Sequence, residues 1–279
     1  MGVRLGELLV GLDRAYPPER AESWDTGIGL TCGDPESVVD SVLLAVDANA
    51  ATVAEAVDLG VDLLLTHHPL LFRPVQSVAA DRPKGALIHR LITAGVAHVA
   101  AHTNADVAVD GVNDALARAL ELTELRPLRP TDTPGVGLGR VGVLGEPLRL
   151  AAFAELVAAR LPATVGGVRA AGDPDRTVRT VAVCGGAGDS ELGRASDVGA
   201  DVVVTSDLRH HAVDEHLATP GAAAVVEVAH WAGEWPWLAH AARLIQAIGA
   251  GTVVTTVSTR RTDPWTVHAA SRSLPPPGP

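Results

Sequence analysis

The stretch VDLLLTHHPLLF, which runs from Val61 to Phe72, decides the fold. Its three consecutive leucines are typical of a central parallel strand that is covered on both faces. Pro69 cannot donate to a sheet ladder, so the strand must end before it. His67 and His68 then lie just past the carboxyl end of the strand, where open α/β sheets bind ligands. Two neutral imidazoles there can each hold a metal ion, or one can hold metal while the other handles a proton. A His-His pair at a strand end is also compatible with ordinary surface turn chemistry.

The composition and charge of the chain argue against some classes of protein function. The chain has 279 residues and a net charge of −11, which argues against a generic nucleic-acid-binding surface because such surfaces are basic. Its two cysteines, Cys32 and Cys184, form no CxxC pattern, which suits a reducing cytoplasm. We find no apolar leader at the N-terminus and no apolar stretch of about 18 residues. The expectation is a cytoplasmic protein without a membrane span.

Strand–helix alternation continues outward from the opening stretch and predicts an α/β fold with mainly parallel or mixed sheets and helices on their faces. In the first half, strands are predicted over 38–46, 61–66 and 96–101, and helices over 48–59, 85–94 and 110–120, the last with Asp110 as its N-cap. Prolines and glycines over 125–139 predict a linker. We therefore expect an N-terminal domain over 1–130, a C-terminal domain over 131–270 and a disordered tail over 271–279, with a site in the cleft between the domains.

Four predicted strands end in histidine. These ends are His67-His68, His102 through Asp106, His210-His211, and His230 through Glu234. Because the carboxyl ends of parallel strands share one edge of a sheet, groups far apart in sequence can converge there. Histidine combined with Asp and Glu is the ligand set of a Zn, Fe or Mn hydrolytic centre. A two-metal centre needs about five or six protein ligands, and the set His67, His68, Asp106, His230 and Glu234 fits that need.

For several residues the sequence allows both a functional and a structural role. His102 is predicted either to support a ligand or to shape its loop, and His211 is preferred over His210 for a role in the site. Gly185 to Gly188 could cradle a phosphate or form a tight strand–helix turn. Trp231, Trp235 and Trp237 could stack on a base or pack in a core, with the core favoured. Turn capping is the favoured role of Asp25. Pro236 disfavours a helix already running at Glu234, so His230 and Glu234 are predicted on a loop and a helix start.

The chain resembles the Nif-three-like family. The resemblance rests on AESWDTGIGL (21–30), THHPL (66–70), HTNAD (102–106) followed by GVN (111–113), and His230 with Glu234. It implies a two-domain α/β protomer in a toroidal homohexamer with a dinuclear metal centre. The family's metal ligands fall on His67, His68, Asp106, His230 and Glu234, and a further family histidine falls on His211. Ser206 and His210 depart from the family pattern beside that histidine. The short connection between Leu161 and Val178 implies that the middle domain of longer members is absent.

Members of this family are often named GTP cyclohydrolase 1 type 2 homologues. The resemblance therefore implies a metal-dependent hydrolase acting on a nucleotide such as GTP, with two divalent ions (Zn, Fe or Mn) per subunit. Asp106 or Glu234 would bridge the metals, and His211 or His102 would move protons or hold the substrate. The alternative from another class is a metal-binding hexameric scaffold or regulatory protein without turnover. Binding to membranes is not expected, and binding to nucleic acid is disfavoured by the net charge.

Overall fold

The stretch that decides the fold forms the middle strand of a five-stranded sheet in the computed structural model, which describes residues 2–270. Its three leucines point alternately to the two faces of this sheet, as successive side chains of a strand do. Leu63 and Leu65 pack into the core beneath the first and last long helices, and Leu64 packs into the core on the opposite face. All three are fully buried. This burial on both faces explains the uninterrupted run of leucine.

The strands, in chain order, are β1 (Val3–Arg4), β2 (Gly29–Cys32), β3 (Val38–Val39), β4 (Ser41–Ala45), β5 (Leu63–Thr66), β6 (Ala97–Ala100), β7 (Thr123–Pro130), β8 (Gly137–Arg149), β9 (Arg169–Ala171), β10 (Thr177–Ala187), β11 (Val202–Ser206), β12 (Ala224–Glu227) and β13 (Val254–Val257). The helices are α1 (Leu5–Ala15), α2 (Ala50–Leu59), α3 (Pro83–Thr93), α4 (Thr103–Val107), α5 (Val112–Ala119), α6 (Leu150–Arg160), α7 (Leu192–Asp197), α8 (His210–Leu217), α9 (His230–Glu234) and α10 (Trp237–Ile248). Short 3-10 turns cover Pro18–Arg20 and Asp189–Glu191.

Two mixed sheets carry the fold. The first has the order β13-β4-β5-β6-β2, with only the edge strand β2 antiparallel to its neighbour. The second has the order β7-β8-β10-β11-β12-β9, in which β10, β11 and β12 are parallel and the remaining pairings are antiparallel. The predicted α/β class with mixed sheets is therefore confirmed. The first sheet also receives β13 from near the C-terminal end of the described chain.

The structure corrects the linker that was predicted over 125–139. Thr123–Pro130 forms β7, which pairs antiparallel with β8 at the edge of the second sheet. Its two strand prolines are tolerated because an edge strand has one side without ladder partners. The division into domains at residue 130 stays a prediction, and the tail predicted over 271–279 lies outside the described residues.

The start of α5 also differs from the prediction. Gly111, not Asp110, occupies the N-cap position. Asp110 has a left-handed backbone with φ of 57°, and its side chain accepts a hydrogen bond from Arg118. Among residues 2–270, none of the helices combines the length and apolar character that a membrane crossing requires.

Candidate metal centre

The polar ends of both sheets meet at one cluster of side chains. His67 and His68 directly follow β5, Asp106 lies in α4 after β6, and His230 and Glu234 begin and end α9 after β12. The five residues predicted as metal ligands are therefore brought together, although they come from positions up to 167 residues apart in the sequence. We call the expectation of ligands at the carboxyl ends of parallel strands the strand-end rule. It brought these five residues together correctly because both sheets present such ends to the same side-chain cluster.

Glu234 lies at the middle of this cluster. Its Oε1 is 2.9 Å from Nε2 of His230 and 3.4 Å from Nε2 of His67, and its Oε2 is 3.1 Å from Nε2 of His68. Asp106 Oδ1 lies 3.6 Å from the same nitrogen of His67. One carboxylate thus faces three imidazoles, an arrangement of oxygen and nitrogen donors that could hold a metal ion.

The sequence prediction for the segment before Pro236 was wrong in one respect. His230 and Glu234 lie on one face of a continuous five-residue helix, α9, at a spacing of four residues. That helix ends before Pro236, which occupies the N-cap of α10. A proline is compatible with this position because the first helical N–H groups have no partner within the helix. Because α9 ends before Pro236, the proline does not interrupt it.

Each imidazole of the cluster is fixed through its Nδ1 atom. His67 Nδ1 lies 2.9 Å from the carbonyl oxygen of Ala101, and His68 Nδ1 lies 2.7 Å from Asp47 Oδ1. His230 Nδ1 is 2.7 Å from Asp207 Oδ2. Because these partners are acceptors, each Nδ1 carries the proton that it donates, which leaves Nε2 as the atom through which each ring could bind a metal. This is the arrangement in which histidines bind metal.

The donor set fits a divalent cation. Nε2 of His68 and Nε2 of His230 lie 3.2 Å apart, and two lone pairs at this distance repel unless a proton or a cation lies between them. His67 Nε2, Asp106 Oδ1 and Glu234 Oε2 are buried and make no hydrogen bond within the described residues. Buried polar atoms without partners are costly, so their convergence points to a ligand that they share. Two groups of side chains could hold an ion: His67, His68 and His102, and His68, His230 and Glu234.

The pKa values report the same crowding of charge. Burial alone would raise the pKa of Glu234, but the imidazoles of His230, His68 and His67 hold it well below its usual value. The carboxylate of Glu234 in turn raises the pKa of His230 to about 11, with help from Asp207. Burial opposes the shift at His68, yet Glu234 and Asp47 raise its pKa to about 10. A cation bound at Nε2 of His68 and of His230 would replace the second proton that each of these two imidazoles holds at neutral pH.

Asp106 differs from Glu234 in the direction in which its pKa is shifted. Burial and the nearby Glu234 carboxylate raise its pKa to about 7. Its backbone is held by Asn113, whose Nδ2 donates to the Asp106 carbonyl while its Oδ1 accepts from the N–H of Gly185. Asn113 therefore joins the two sheets directly behind the cluster.

His102 extends the cluster on the side of the first sheet. Its ring centre is 5.1 Å from that of His67 and 5.6 Å from that of His68, and its Nδ1 lies 2.9 Å from Asp25 Oδ2. The same carboxylate oxygen accepts from Thr103. Burial would raise the pKa of Asp25, but these bonds lower it to about 2. The turn-capping role favoured for Asp25 is therefore incomplete, because the Asp25 carboxylate accepts a hydrogen bond from His102.

Asp47 and Asp207, which accept hydrogen bonds from His68 and His230, were not selected from the sequence. Both follow parallel strands, β4 and β11, at the same sheet edge as the histidines. The strand-end rule that selected the histidines would have found these carboxylates had it been applied to acidic residues as well.

His211 is not part of this cluster. It is exposed in the first turn of α8, where its ring packs against that of His210. Within residues 2–270 no hydrogen bond or ion pair joins it to the five predicted ligands. The role predicted for His211 therefore stays a prediction without geometric support.

The glycine loop and the tryptophans have structural roles. Gly185 to Ala187 continue β10, and a Cβ on Gly186 would lie 2.8 Å from Glu234 Oε1. The glycine thus permits close approach of the backbone to the cluster. Trp231 and Trp237 are buried in the core of the first sheet, and Trp237 packs against His67 with ring centres 5.5 Å apart.

Comparison with known proteins adds a family. The model of the family described as Duf34/NIF3 (NGG1p interacting factor 3) matches residues 3–264. A Streptomyces coelicolor protein named GTP cyclohydrolase 1 type 2 homolog is 49% identical over 274 residues, which cover 96% of this chain and 95% of that protein. A Mycobacterium tuberculosis protein of the same name is 36% identical over 380 aligned residues, covering 98% and 99% of the two chains. That alignment is longer than this chain, so the mycobacterial relative carries additional residues.

Among solved structures, the Bacillus cereus protein related to NIF3 superposes with a TM-score of 0.87. It is 26% identical in sequence, and the match covers 96% of this chain and all of the other.

Proposed function

The chain belongs to the Duf34/NIF3 family, and on that premise we propose that it is a metal-dependent hydrolase that acts on a nucleotide. The observation that carries the proposal is the convergence of imidazole Nε2 atoms on the Glu234 carboxylate, at distances from 2.9 to 3.4 Å. We assign the metal ligands as His67, His68, Asp106, His230 and Glu234. The name shared by the curated relatives supports a nucleotide as substrate.

Two ions per subunit are what the resemblance to the family implies, and five converging ligands match in number what a two-metal centre needs. The central position of Glu234, with one oxygen toward His230 and the other toward His68, suits a bridging carboxylate. Carboxylate and imidazole ligands are compatible with Zn, Fe or Mn. Divalent metal held by these residues would lower the pKa of a bound water and so provide a nucleophile at neutral pH.

The chain's own groups then hold and move protons. Asp25 is ionised at neutral pH, since its pKa is about 2, and it keeps the His102 proton on Nδ1. His102 Nε2 is therefore free to accept a proton from a group in the centre, which makes His102 the proposed general base. Asp47 and Asp207 keep His68 and His230 in the orientation that a ligand requires.

The test is to purify the protein without added metal, measure its metal content, and assay hydrolysis of GTP and related nucleotides. We expect His68→Ala and Glu234→Gln to lose metal and turnover together. His89→Ala is the matched control, because His89 is an exposed histidine on α3 and its loss should change neither quantity. Hydrolysis that persists in metal-free protein would contradict the mechanism. Full metal content without turnover of any nucleotide would instead support a metal-binding scaffold.

We also propose that the chain assembles as a homohexamer, as its resemblance to the family implies. Light scattering on the purified protein should give a mass of six copies of the 28.7 kDa chain. A monomeric mass at working concentration would contradict this part of the proposal without affecting the metal site.

A further inference from the structure

Residues 258–263, which we call the strap, follow β13 and run along the edge of the first sheet where the metal cluster lies. β13 pairs parallel with β4, so both strands end at this edge. Asp47 comes shortly after β4 and accepts a hydrogen bond from His68. The strap therefore begins beside the loop that holds one of the proposed metal ligands.

The start of the strap is fixed to its surroundings through Ser258, which is only 2% exposed. The Ser258 N–H donates to the carbonyl oxygen of Leu44 on β4 at 2.8 Å, and its hydroxyl donates to Oε2 of Glu55 on α2 at 2.7 Å. Its carbonyl oxygen accepts from Nε1 of Trp235 at 3.1 Å, and Trp235 directly follows Glu234. The strap is thus held against the first sheet and against the end of α9 that carries Glu234.

Four residues further along, Thr262 reaches the carboxylate behind His68. Oγ1 of Thr262 donates to Oδ2 of Asp47, while Oδ1 of the same carboxylate lies 2.7 Å from Nδ1 of His68. The torsion angle that turns a carboxylate group is only loosely restrained, so one hydrogen bond leaves the plane of the Asp47 carboxylate free to turn. A second donor on the other oxygen fixes that plane.

The Asp47 carboxylate needs such a second donor because water can reach it. The side chains of Asp47 and His68 are 27% and 24% exposed, and both line a cavity of about 980 Å³ beside the cluster, as does Thr262. His67 differs, since it is fully buried and its Nδ1 donates to a backbone carbonyl whose direction is set by the fold. The orientation of His68 therefore depends on a side chain that must itself be held.

We propose that Thr262 is a positioning residue of the metal centre. It holds the Asp47 carboxylate so that Oδ1 meets Nδ1 of His68, which directs Nε2 of His68 toward Glu234. This inference rests on the proposed function in one respect, namely that His68 binds metal through Nε2. It gives the strap a role in the site, although Thr262 makes no hydrogen bond to any of the five proposed ligands within the described residues.

Metal affinity, measured on the purified protein by competition with a chelator, tests the inference. We expect Thr262→Val to weaken metal binding about tenfold, the lower end of the usual effect of losing a group that orients a ligand. Thr262→Ser keeps the hydroxyl and should restore most of the affinity. Thr256→Val is the matched control, because Thr256 is exposed on β13 and does not line the cavity. Undiminished affinity of Thr262→Val would overturn the inference, as would equal losses in the valine and serine variants.

A double-mutant cycle shows whether Thr262 acts through Asp47. Residues that act on a site through one interaction have non-additive effects, whereas the effects of independent residues add in free energy. Asp47→Ala removes both carboxylate oxygens, so Thr262→Val should weaken metal binding no further in that background. Losses that multiply in the double variant would mean that Thr262 acts by another path, and they would overturn the inference.

Crystal structures of the metal-free proteins separate this inference from the proposed hydrolase. The distance from Asp47 Oδ1 to His68 Nδ1 should stay near 2.7 Å in the wild type and in Thr262→Ser, and should exceed hydrogen-bonding distance in Thr262→Val. A contact broken only in Thr262→Val, in a protein that does not turn over nucleotides, would support the role of Thr262 and contradict the hydrolase. Metal-dependent turnover with the contact intact in Thr262→Val would support the hydrolase and overturn the inference.

Discussion

At the scale of single residues, the centre is organised by what lies behind each imidazole. His68, His102 and His230 each meet a carboxylate at Nδ1, from Asp47, Asp25 and Asp207, and His67 meets a backbone carbonyl instead. Partners of this kind fix the tautomer and raise the basicity of the ligand nitrogen. They were not predictable from the histidines themselves, because hydrogen bonds between distant loops depend on how the strands are placed side by side.

The partner of His68 provides the first prediction. Asp47→Asn should lower metal affinity about 10–100-fold, which is the usual effect of removing such a carboxylate. The loss should appear in competition with a chelator, while the fold is retained by circular dichroism. Asp58→Asn, on the exposed surface of α2, is the control and should bind metal normally. Equal affinities of the two variants would show that Asp47 does not support the ligand.

Gly186, which lies beside Glu234, provides the second prediction. Its φ is +72°, and an added Cβ would lie 2.8 Å from Glu234 Oε1 and 3.4 Å from His230 Nε2. Gly186→Ala should therefore displace Glu234 and reduce metal content, and the backbone strain should destabilise the fold by about 1 kcal/mol or more. Gly199→Ala is a matched control, because Gly199 has φ of +76° but no atom within 4 Å of an added Cβ. It should lose stability but keep its metal, as metal analysis and urea unfolding can establish.

At the scale of secondary-structure elements, β5 and β6 deliver ligands because their ends are fixed. Thr66, the last residue of β5, donates from Oγ1 to the carbonyl of His68 and accepts from Nε2 of His98 on β6. His98 is fully buried. Burial, and to a lesser extent the charge of Lys84, lower its pKa from 6.5 to about 3. His98 is consequently neutral in the folded protein throughout the physiological range.

The burial of His98 makes the folding stability of the protein decrease as pH falls. Because the folded pKa of His98 lies below the unfolded value of 6.5, the unfolded chain binds a proton first as pH falls, and stability is lost between pH 6.5 and pH 3. The loss from His98 alone is about 2 kcal/mol at pH 5. Urea unfolding at pH 7 and pH 5 should thus show a larger drop for the wild-type protein than for His98→Gln. Parallel drops would mean that His98 is protonated in the folded state.

Sequence reasoning succeeded for elements with a strong pattern and failed where tertiary context decides. The leucines of β5 and Pro69 fixed the strand and its end, and the strand-end rule then found the five clustered residues. The prolines of 125–130 were misleading, since an edge strand tolerates them. Pro236 was misleading for a related reason, because it begins α10 rather than interrupting α9. His211 also satisfied the strand-end rule, but it lies in the exposed first turn of α8, apart from the cluster, so its role stays a prediction.

At the scale of the whole molecule, the two sheets share one plan. In each sheet an aspartate lies directly before a central parallel strand. Its carboxylate accepts hydrogen bonds from backbone N–H groups near the start of the strand that comes before it in the chain. Asp62 accepts from the N–H groups of Asp40 and Ser41, and Asp201 accepts from those of Arg179 and Thr180. Each sheet also ends in an antiparallel strand beside its third parallel one. The two halves of the chain therefore repeat the same structural arrangement.

The shared plan explains where the site lies. In both halves a histidine precedes a carboxylate by four residues at a five-residue helix, His102 with Asp106 at α4 and His230 with Glu234 at α9. At the central strand the halves differ, because the first ends in His67-His68 and the second in Ser206-Asp207. Equivalent edges of two similar units face each other, so a cation between them would draw ligands from both.

A centre assembled in this way should tie the halves together. Metal at 100 times its dissociation constant should stabilise the folded protein by about 2.7 kcal/mol, which corresponds to several degrees in Tm for a chain of this size. We expect chelator treatment to lower the Tm of the wild-type protein and metal addition to restore it, as differential scanning calorimetry can measure. Glu234→Gln, which removes the carboxylate that faces His67, His68 and His230, should show a Tm that responds to neither treatment.

The opposite result is a wild-type Tm that does not change, although metal analysis confirms stoichiometric binding and removal. It would mean that the halves are joined by their own contacts, such as Asn113 between Asp106 and Gly185. The metal would then act on chemistry alone and not on the assembly of the fold.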